Sequence, residues 1–287
     1  SCPEVARIVL TQTEALTFEA LSHTKDRILL SQDVDQDHED LKQHPARYVV
    51  RMRQLALNVL GNSEFTLWQR LALLNTFHLD LMPLHVPAGV KKINALLNTY
   101  EKRWAKKTNI PKGYRPQPQI QIKVLEVLYR AMPSYFSLAE GSMHLTQQQL
   151  IEQLIVSGTR MKRSQQLVQW TTQYVHPFAL ANPYFFENYL RHFVFKYLYP
   201  FSEEGDPYTG FALLILRIFL IQAHLAMIGK EEGVVTLERA IDVVQQLTKL
   251  WEHNRQFFII AGTCMIEEGL DGPEELLSLV STRFGVE

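Results

Sequence analysis

Cysteine is scarce in this chain: only two cysteines occur among the 287 residues, at positions 2 and 264. Two cysteines in a chain of this length do not make a disulfide framework of the kind that staples small secreted domains. We therefore expect a protein of the reducing cytoplasm.

An excess of charge of either sign is also missing. Lys and Arg number 29 and Asp and Glu number 30, so that the formal net charge is −1. Such a balance gives no overall attraction to nucleic acid or to an anionic membrane. Because 46% of the residues are hydrophobic, the composition is that of an ordinary folded globular protein. We expect neither nucleic acid nor a membrane as a partner.

Several common catalytic signatures are absent. The chain contains no G-x-G-x-x-G after a strand, no Walker A loop, no G-x-S-x-G elbow and no H-E-x-x-H segment. Their absence excludes a Rossmann-type cofactor site and the motif-bearing forms of many transferases and hydrolases. Any catalytic function must therefore depend on a less common arrangement.

Strand-like alternation is nearly absent, while helical patterns follow one another along the whole chain. The sequence predicts an all-α fold, a multi-helix globular bundle. The best linker is Asn109–Pro118, which contains three prolines and a glycine. It favours two helical subdomains, residues 1–110 and 119–287, joined by a linker over 111–118.

One apolar run, Tyr208–Gly229, is about long enough to span a bilayer. However, Arg217, Gln222 and His224 lie inside it, and an arginine at a bilayer centre costs roughly 2.5–3.5 kcal/mol. We therefore interpret the run as a buried helix in a large protein core.

Aromatic residues are concentrated in Asn182–Phe201, where nine of the twenty side chains are aromatic. Rings on every side of a helix predict that it is largely buried. The Asn-Pro pair at 182–183 is expected to begin this helix, and Pro200 is expected to end it. Glu187 and Arg191 are one helical turn apart, so we expect them to pair.

Two interpretations of these polar residues stay open. The first is structural: a core helix that contains an internal ion pair. The second is functional: a pocket in which aromatic rings surround a cation or a flat cofactor, with Glu187 holding or deprotonating an amine.

A resemblance is carried by two widely separated segments, SCPEVARIVL at the start of the chain and ENYLRHFVFKYLYPF at Glu187–Phe201. The first is similar to the L-S-C-P-E-x-A-R stretch of the bacterial flagellin lysine N-methylases. The second resembles the E-N-Y-L…F-K-x-x-F-P-F stretch of the same family. The order and the wide separation of the segments match as well, so the resemblance extends over the whole chain.

The resemblance implies a protein-lysine N-methyltransferase that acts on flagellin and uses S-adenosylmethionine. It also implies a cysteine-rich upstream region that holds a 4Fe–4S cluster, which normally needs four thiolate ligands. We therefore expect this chain to be the helical C-terminal part of the enzyme, with Cys2 as a cluster ligand at the boundary. Without the cluster region, the fragment is expected to be inactive or nearly so.

The acceptor lysine sets a chemical requirement. Its amine has an ordinary pKa of about 10.4 and must be neutral to accept a methyl group, so the site must desolvate it or supply a base. The candidate catalytic residues are Glu187, Tyr189 and His192. The candidates for substrate binding are Asn188, Arg191, Lys91 and Lys92, and the candidate for metal binding is Cys2.

The alternative function is a non-catalytic helical module that binds a ligand or another protein. Buried aromatic rings and a polar seam serve such a module equally well. The residues upstream of Ser1 distinguish the two functions, because a run of cysteines there favours the enzyme.

Overall fold

The structure is a computed structural model, and it is predominantly helical. It describes residues 3–12, 44–84, 86, 89–106, 117–131, 154–156, 158–197, 199–201, 206–253 and 256–280. Of the described residues, 84% are helical and none belongs to a strand. The predicted all-α fold is therefore confirmed.

Twelve α-helices occur in the described part of the chain. They are α1 Pro3–Thr11, α2 Val49–Leu60, α3 Leu67–Leu81, α4 Val90–Ala105, α5 Pro118–Ala131, α6 Arg160–Trp170, α7 His176–Ala181, α8 Phe185–Lys196, α9 Pro207–Glu232, α10 Leu237–His253, α11 Gln256–Glu267 and α12 Pro273–Val280. A π-helical turn over Thr171–Val175 joins α6 to α7, and short 3₁₀ turns precede α2 and follow α3.

Local sequence explains where two of the core helices begin and end. Thr66 caps α3 through a capping box with Gln69, which satisfies backbone N–H groups of the first turn. Asp206 caps α9, and Pro207 occupies its first position. Gly233 ends α9 in the left-handed conformation, with a φ of 79° that glycine adopts without a steric penalty.

The predicted start of the aromatic helix is wrong. Helix α8 begins at Phe185, and its N-cap residue is Tyr184, whose side chain makes no capping hydrogen bond. Asn182 instead ends α7, where its Nδ2 donates a hydrogen bond to the carbonyl of Phe178 at 2.9 Å. The physical reason is Pro183, which disfavours the helical conformation at the preceding residue, so that Asn182 leaves the helix with φ −132° and ψ 67°.

Helix α9 forms the centre of the protein. It is a described helix that is long and apolar enough to cross a membrane, but 94% of its most apolar 18-residue window is buried inside the protein. Helices α3, α6, α8, α10, α11 and α12 and the π-helical turn pack against it. The prediction that this run forms a buried core helix is confirmed.

The described core draws on both predicted subdomains. One cluster of buried apolar side chains includes residues from α2 and α3 as well as from α8, α9 and α12. Helix α2 packs against α8, and α3 packs against α9 and α12. Most of the predicted linker lies outside the described residues, because 107–116 are not described. The division into two subdomains stays a prediction.

Candidate functional site

Helix α8 has polar residues on two opposite faces. An α-helix turns by about 100° per residue, so Glu187 and Arg191 share one face while Tyr189, His192 and Lys196 share the other. Helix α2 packs against α8, as do α1 and α9. The two faces therefore have different neighbours and are described separately.

The first face of α8 forms a buried ion-pair cluster, which we define as Arg70, Glu187 and Arg191. Glu187 Oε2 accepts a hydrogen bond from Nη1 of Arg70, on α3, at 2.5 Å. Glu187 Oε1 lies 3.6 Å from Nη1 of Arg191, so the predicted pair within the helix is confirmed. The Glu187 side chain is only 2% exposed. Arg70 also donates to the backbone carbonyl of Leu60, which ties α8 to the end of α2.

Gly61 leaves the space that the Arg191 guanidinium occupies. A Cβ atom at residue 61 would lie 2.0 Å from Nη1 of Arg191, far inside contact distance. Burial lowers the pKa of Arg191, while the neighbouring carboxylate of Glu187 raises it. The side chain is 12% exposed, so the cluster is nearly closed to water.

This geometry favours a structural role for Glu187. A candidate base must come within hydrogen-bond reach of the proton that it removes. The Glu187 carboxylate instead contacts two guanidinium groups inside the core, and the residue is not among those that line the pocket described next. Its assignment as a catalytic residue stays a prediction.

The opposite face of α8 lines a pocket between α1, α8, α9 and α10. The pocket has about 500 Å³ of empty space, a volume that includes the part that opens to solvent. Its lining is largely apolar, although several polar side chains reach it. Helix α8 contributes Tyr189, His192, Phe193 and Lys196, and Tyr197, which follows the helix, also lines the pocket.

The two segments that carry the family resemblance meet at this pocket. Ala6, Val9 and Leu10 of α1 line it together with Tyr189 and His192 of α8, although roughly 180 residues separate the two helices in the sequence. Helix α1 packs against both α8 and α10. The structure thus brings two of the predicted catalytic residues, Tyr189 and His192, into one pocket beside the opening segment.

Arg217 of α9 contributes a buried cation to the pocket wall. The residue is 3% exposed, and its guanidinium carbon lies 3.7 Å from the ring centre of Phe258, 4.7 Å from that of Phe193 and 5.2 Å from that of Trp251. Such cation–π contacts contribute about 2 kcal/mol when they are desolvated. Among the described residues that line the pocket, Lys196 and Arg217 carry basic side chains, and no Asp or Glu is present.

Sequence reasoning missed Lys196 and Arg217 as site residues. Arg217 had a usable signal, because a charge within a buried apolar helix needs partners and so indicates a special environment. Lys196 had a signal as well, because it matches the lysine of the F-K-x-x-F-P-F stretch that carries the family resemblance.

The remaining predicted residues are not in the pocket lining. Asn188 is completely buried within α8, while Lys91 and Lys92 are exposed in the first turn of α4, a helix that packs against α2 and α3. Cys2 lies outside the described residues and immediately precedes α1. The substrate-binding and metal-binding assignments of these residues stay predictions.

The described residues do not fit a 4Fe–4S cluster. Among them, no group of three or more His, Cys, Asp or Glu side chains is arranged to hold a metal ion. The described cysteine, Cys264, is a free thiol on α11 whose pKa is raised by burial and by the nearby Glu267 and Glu268. Such a cluster normally needs four thiolates, so the described residues supply too few to hold one, and the cluster stays a prediction.

Two buried histidines lie outside the pocket. Nε2 of His78 is 2.6 Å from the hydroxyl of Tyr199, and Nδ1 of His224 is 2.7 Å from the carbonyl of Leu220. Burial lowers the pKa of His78 to about 3, an effect that Asp206 opposes, and burial lowers the pKa of His224 to about 4. Both rings are therefore neutral parts of the core at neutral pH.

Together, the described residues form an all-α fold with an aromatic, basic pocket between segments that are distant in sequence. Residues 53–279 match the family described as the FliB lysine N-methylase C-terminal domain, and the chain belongs to this family. The matched range includes α8, α9 and α10 but not α1. No curated protein and no solved structure shows a significant match to the chain.

Proposed function

We propose that this chain is the C-terminal part of a cytoplasmic protein-lysine N-methyltransferase that modifies flagellin with S-adenosylmethionine as the methyl donor. Membership of the lysine N-methylase family supports the reaction type. The observation that carries the proposal is the pocket at which α1 and α8, the two segments with the family resemblance, meet.

The pocket residues are suited to the chemistry of lysine methylation. Tyr189 and His192 line the pocket and are of the types that accept or donate protons in enzymes. We assign the catalytic role to these two residues, while Glu187 anchors α8 through its contacts with Arg70 and Arg191. Lys91 and Lys92 are exposed on α4 and are available to contact the surface of flagellin.

The proposed 4Fe–4S cluster is held by cysteines upstream of this chain together with Cys2. The described residues do not fit the cluster, so we assign no chemical step to it. Cys2 immediately precedes α1, which lines the pocket, and this connection supports the proposal.

The decisive experiment compares the complete gene product with residues 1–287 alone. Each protein is incubated with flagellin and S-adenosylmethionine, and flagellin peptides are examined by mass spectrometry for added methyl groups. We expect methylation by the complete protein only, together with bound iron and visible absorbance that a Cys2→Ser substitution reduces.

Two results would contradict the proposal. An iron-loaded complete protein that leaves flagellin unmodified would favour the non-catalytic binding module. Methylation by residues 1–287 at the full rate would show that no upstream cluster region is required.

A further inference from the structure

The pocket beside α8 combines an apolar lining with basic groups. Tyr189 and Phe193 are one helical turn apart on α8, and Val9 and Leu10 of α1 add aliphatic surface. Arg217 is buried in the wall, whereas Lys196 is exposed and its Nζ lies 4.9 Å from the ring centre of Tyr197. The described lining residues include no Asp or Glu.

We propose that this pocket receives the side chain of the acceptor lysine as a neutral amine, an inference that rests on the proposed function. The aliphatic stem of a lysine is apolar and packs well against the lining, as lysine stems do along other apolar surfaces. Aromatic rings such as Tyr189 and Phe193 accommodate both an amine and its methylated products.

The basic lining explains why the amine is neutral when it binds. Transfer of an ammonium group into apolar surroundings disfavours its charged form, and a like charge within about 4–6 Å does the same. Lysine nucleophiles in other enzymes are activated by both effects. Lys196 at the pocket and Arg217 in its wall are therefore expected to lower the pKa of a bound lysine.

The ionisable groups that face the pocket come from two helices. Helix α8 and the residue that follows it contribute Tyr189, His192, Lys196 and Tyr197, and α9 contributes Arg217. The described lining residues of α1 and α10 are Ala6, Val9, Leu10, Val244 and Thr248, none of which titrates. Of these groups, Lys196 is the cation that is exposed and can be exchanged without disturbing the core.

The reaction then balances without a further reagent. The lysine gives its proton to His192, the candidate base in the lining, which releases it to water. Its nitrogen lone pair forms a bond to the methyl carbon, while the bond between that carbon and the donor's sulfur breaks and leaves its electrons on sulfur. The sulfonium becomes a neutral thioether, and the product leaves as a methylated ammonium.

The methyl donor is the competing occupant, because its carboxylate is attracted by the same basic groups. A substitution that narrows the pocket distinguishes the two. In the complete enzyme, Ala6→Phe places a ring in the pocket, whereas Ile8→Phe makes a similar enlargement at a residue of α1 that is 52% exposed.

We expect Ala6→Phe to lower kcat/KM for flagellin by about tenfold or more, as steric exclusion in an apolar site does, with an unchanged KM for S-adenosylmethionine. Ile8→Phe should keep both constants. A raised KM for the donor in Ala6→Phe would assign the pocket to the donor and overturn this inference, while the proposed function stands. Absence of methylation by the wild-type complete enzyme would instead refute the proposed function.

The pH dependence of kcat tests the role of charge, because kcat reports the pKa values of groups in the enzyme–substrate complex. Lys196→Gln should shift the midpoint of the rising limb upward by about one pH unit, because a nearby cation is lost. Lys196→Arg should preserve the midpoint, and so should Lys230→Gln, which removes an exposed lysine near the end of α9. An unchanged midpoint in Lys196→Gln would overturn the inference, since the pocket would not favour the neutral amine electrostatically.

Discussion

The two faces of helix α8 carry similar kinds of residue but have different surroundings. On one face, Glu187 is buried and contacts the guanidinium groups of Arg70 and Arg191. On the other face, Tyr189 and His192 border a pocket that opens to solvent. The comparison teaches that an ionisable side chain in an aromatic helix is not by itself a sign of catalysis. What differs between the two faces is that the core encloses Glu187, whereas Tyr189 and His192 border a pocket.

The ion-pair cluster also determines which residues reach the pocket. A buried ion pair contributes little net stability compared with apolar packing, but it is costly to break and it fixes orientation. Contacts from Arg70 on α3 hold the Glu187 face of α8 toward the core. Because Tyr189 and His192 lie on the opposite side of the same helix, this anchoring turns them toward α1.

The largest expected effect is on the anchored face. Glu187→Ala leaves two arginines without their carboxylate in the core, so it should lower the free energy of unfolding by about 3–5 kcal/mol. Denaturant unfolding of purified protein measures this loss. The matched control is Glu101→Ala, because Glu101 pairs with Arg51 at 2.8 Å where both side chains are substantially exposed. That change should cost only about 0–1 kcal/mol. Equal losses in the two variants would contradict the structural role of Glu187.

The next largest effect is expected at His192, on the face of α8 that borders the pocket. His192→Gln should reduce the methylation rate of the complete enzyme by about 100-fold, the size of a lost general base, while unfolding free energy changes by no more than about 1 kcal/mol. The same substitution at His176, on α7 and outside the pocket lining, is the control and should retain activity. If the rate of His192→Gln falls only because the variant is less stable, His192 is not a catalytic residue.

A smaller effect comes from His224, a buried histidine whose Nδ1 lies 2.7 Å from the backbone carbonyl of Leu220. His224 has a folded-state pKa of about 4, below its ordinary value of 6.5. The unfolded chain therefore binds a proton that the folded protein does not, and stability falls as pH decreases from 6.5 toward 4. From pH 7 to pH 5 the contribution is about 2 kcal/mol. Urea unfolding measures the free energy of unfolding at both pH values. Its decrease from pH 7 to pH 5 should be smaller in His224→Gln than in the wild type by this amount. Identical pH dependence would mean that the folded protein protonates His224.

The smallest expected effect tests the space around Arg191. Gly61→Ala introduces a methyl group where the guanidinium lies, and we expect a loss of about 1–2 kcal/mol as the arginine moves away from Glu187. Gly262→Ala is the control, because a Cβ there meets nothing within 4 Å and alanine favours a helix interior by about 0.5–1 kcal/mol. The Gly61→Ala loss should shrink in an Arg191→Ala background, since the clash is then absent. If Gly61→Ala still causes the full loss of stability in the Arg191→Ala background, a clash with Arg191 is not the cause.

Sequence analysis predicted the local features of this fold well. The helical class and the burial of α9 follow from hydrophobic periodicity and length, and the Glu187–Arg191 pair follows from one-turn spacing on a helix. The predicted start of α8 was wrong because the Asn-Pro pair at 182–183 also fits the end of the preceding helix. Such boundary errors arise where one residue pair satisfies the rules for two different caps.

The candidate site was only partly predictable, because its main contacts are distant in sequence. Arg70 and Glu187 are 117 residues apart, and no periodicity relates them. The approach of α1 to α8 likewise depends on the path of the whole chain. The sequence therefore indicated Tyr189 and His192 as suitable residue types, but it did not distinguish their pocket from the buried surroundings of Glu187.

The position of α1 has a thermodynamic consequence. The helix is both a wall of the pocket and the element to which any upstream segment is joined through Cys2. A shift of α1 caused by such a segment changes the affinity of the pocket, and linkage makes the effect reciprocal. Filling the pocket must then alter the conformational equilibrium of the upstream segment by the same factor, so that each part can sense the state of the other.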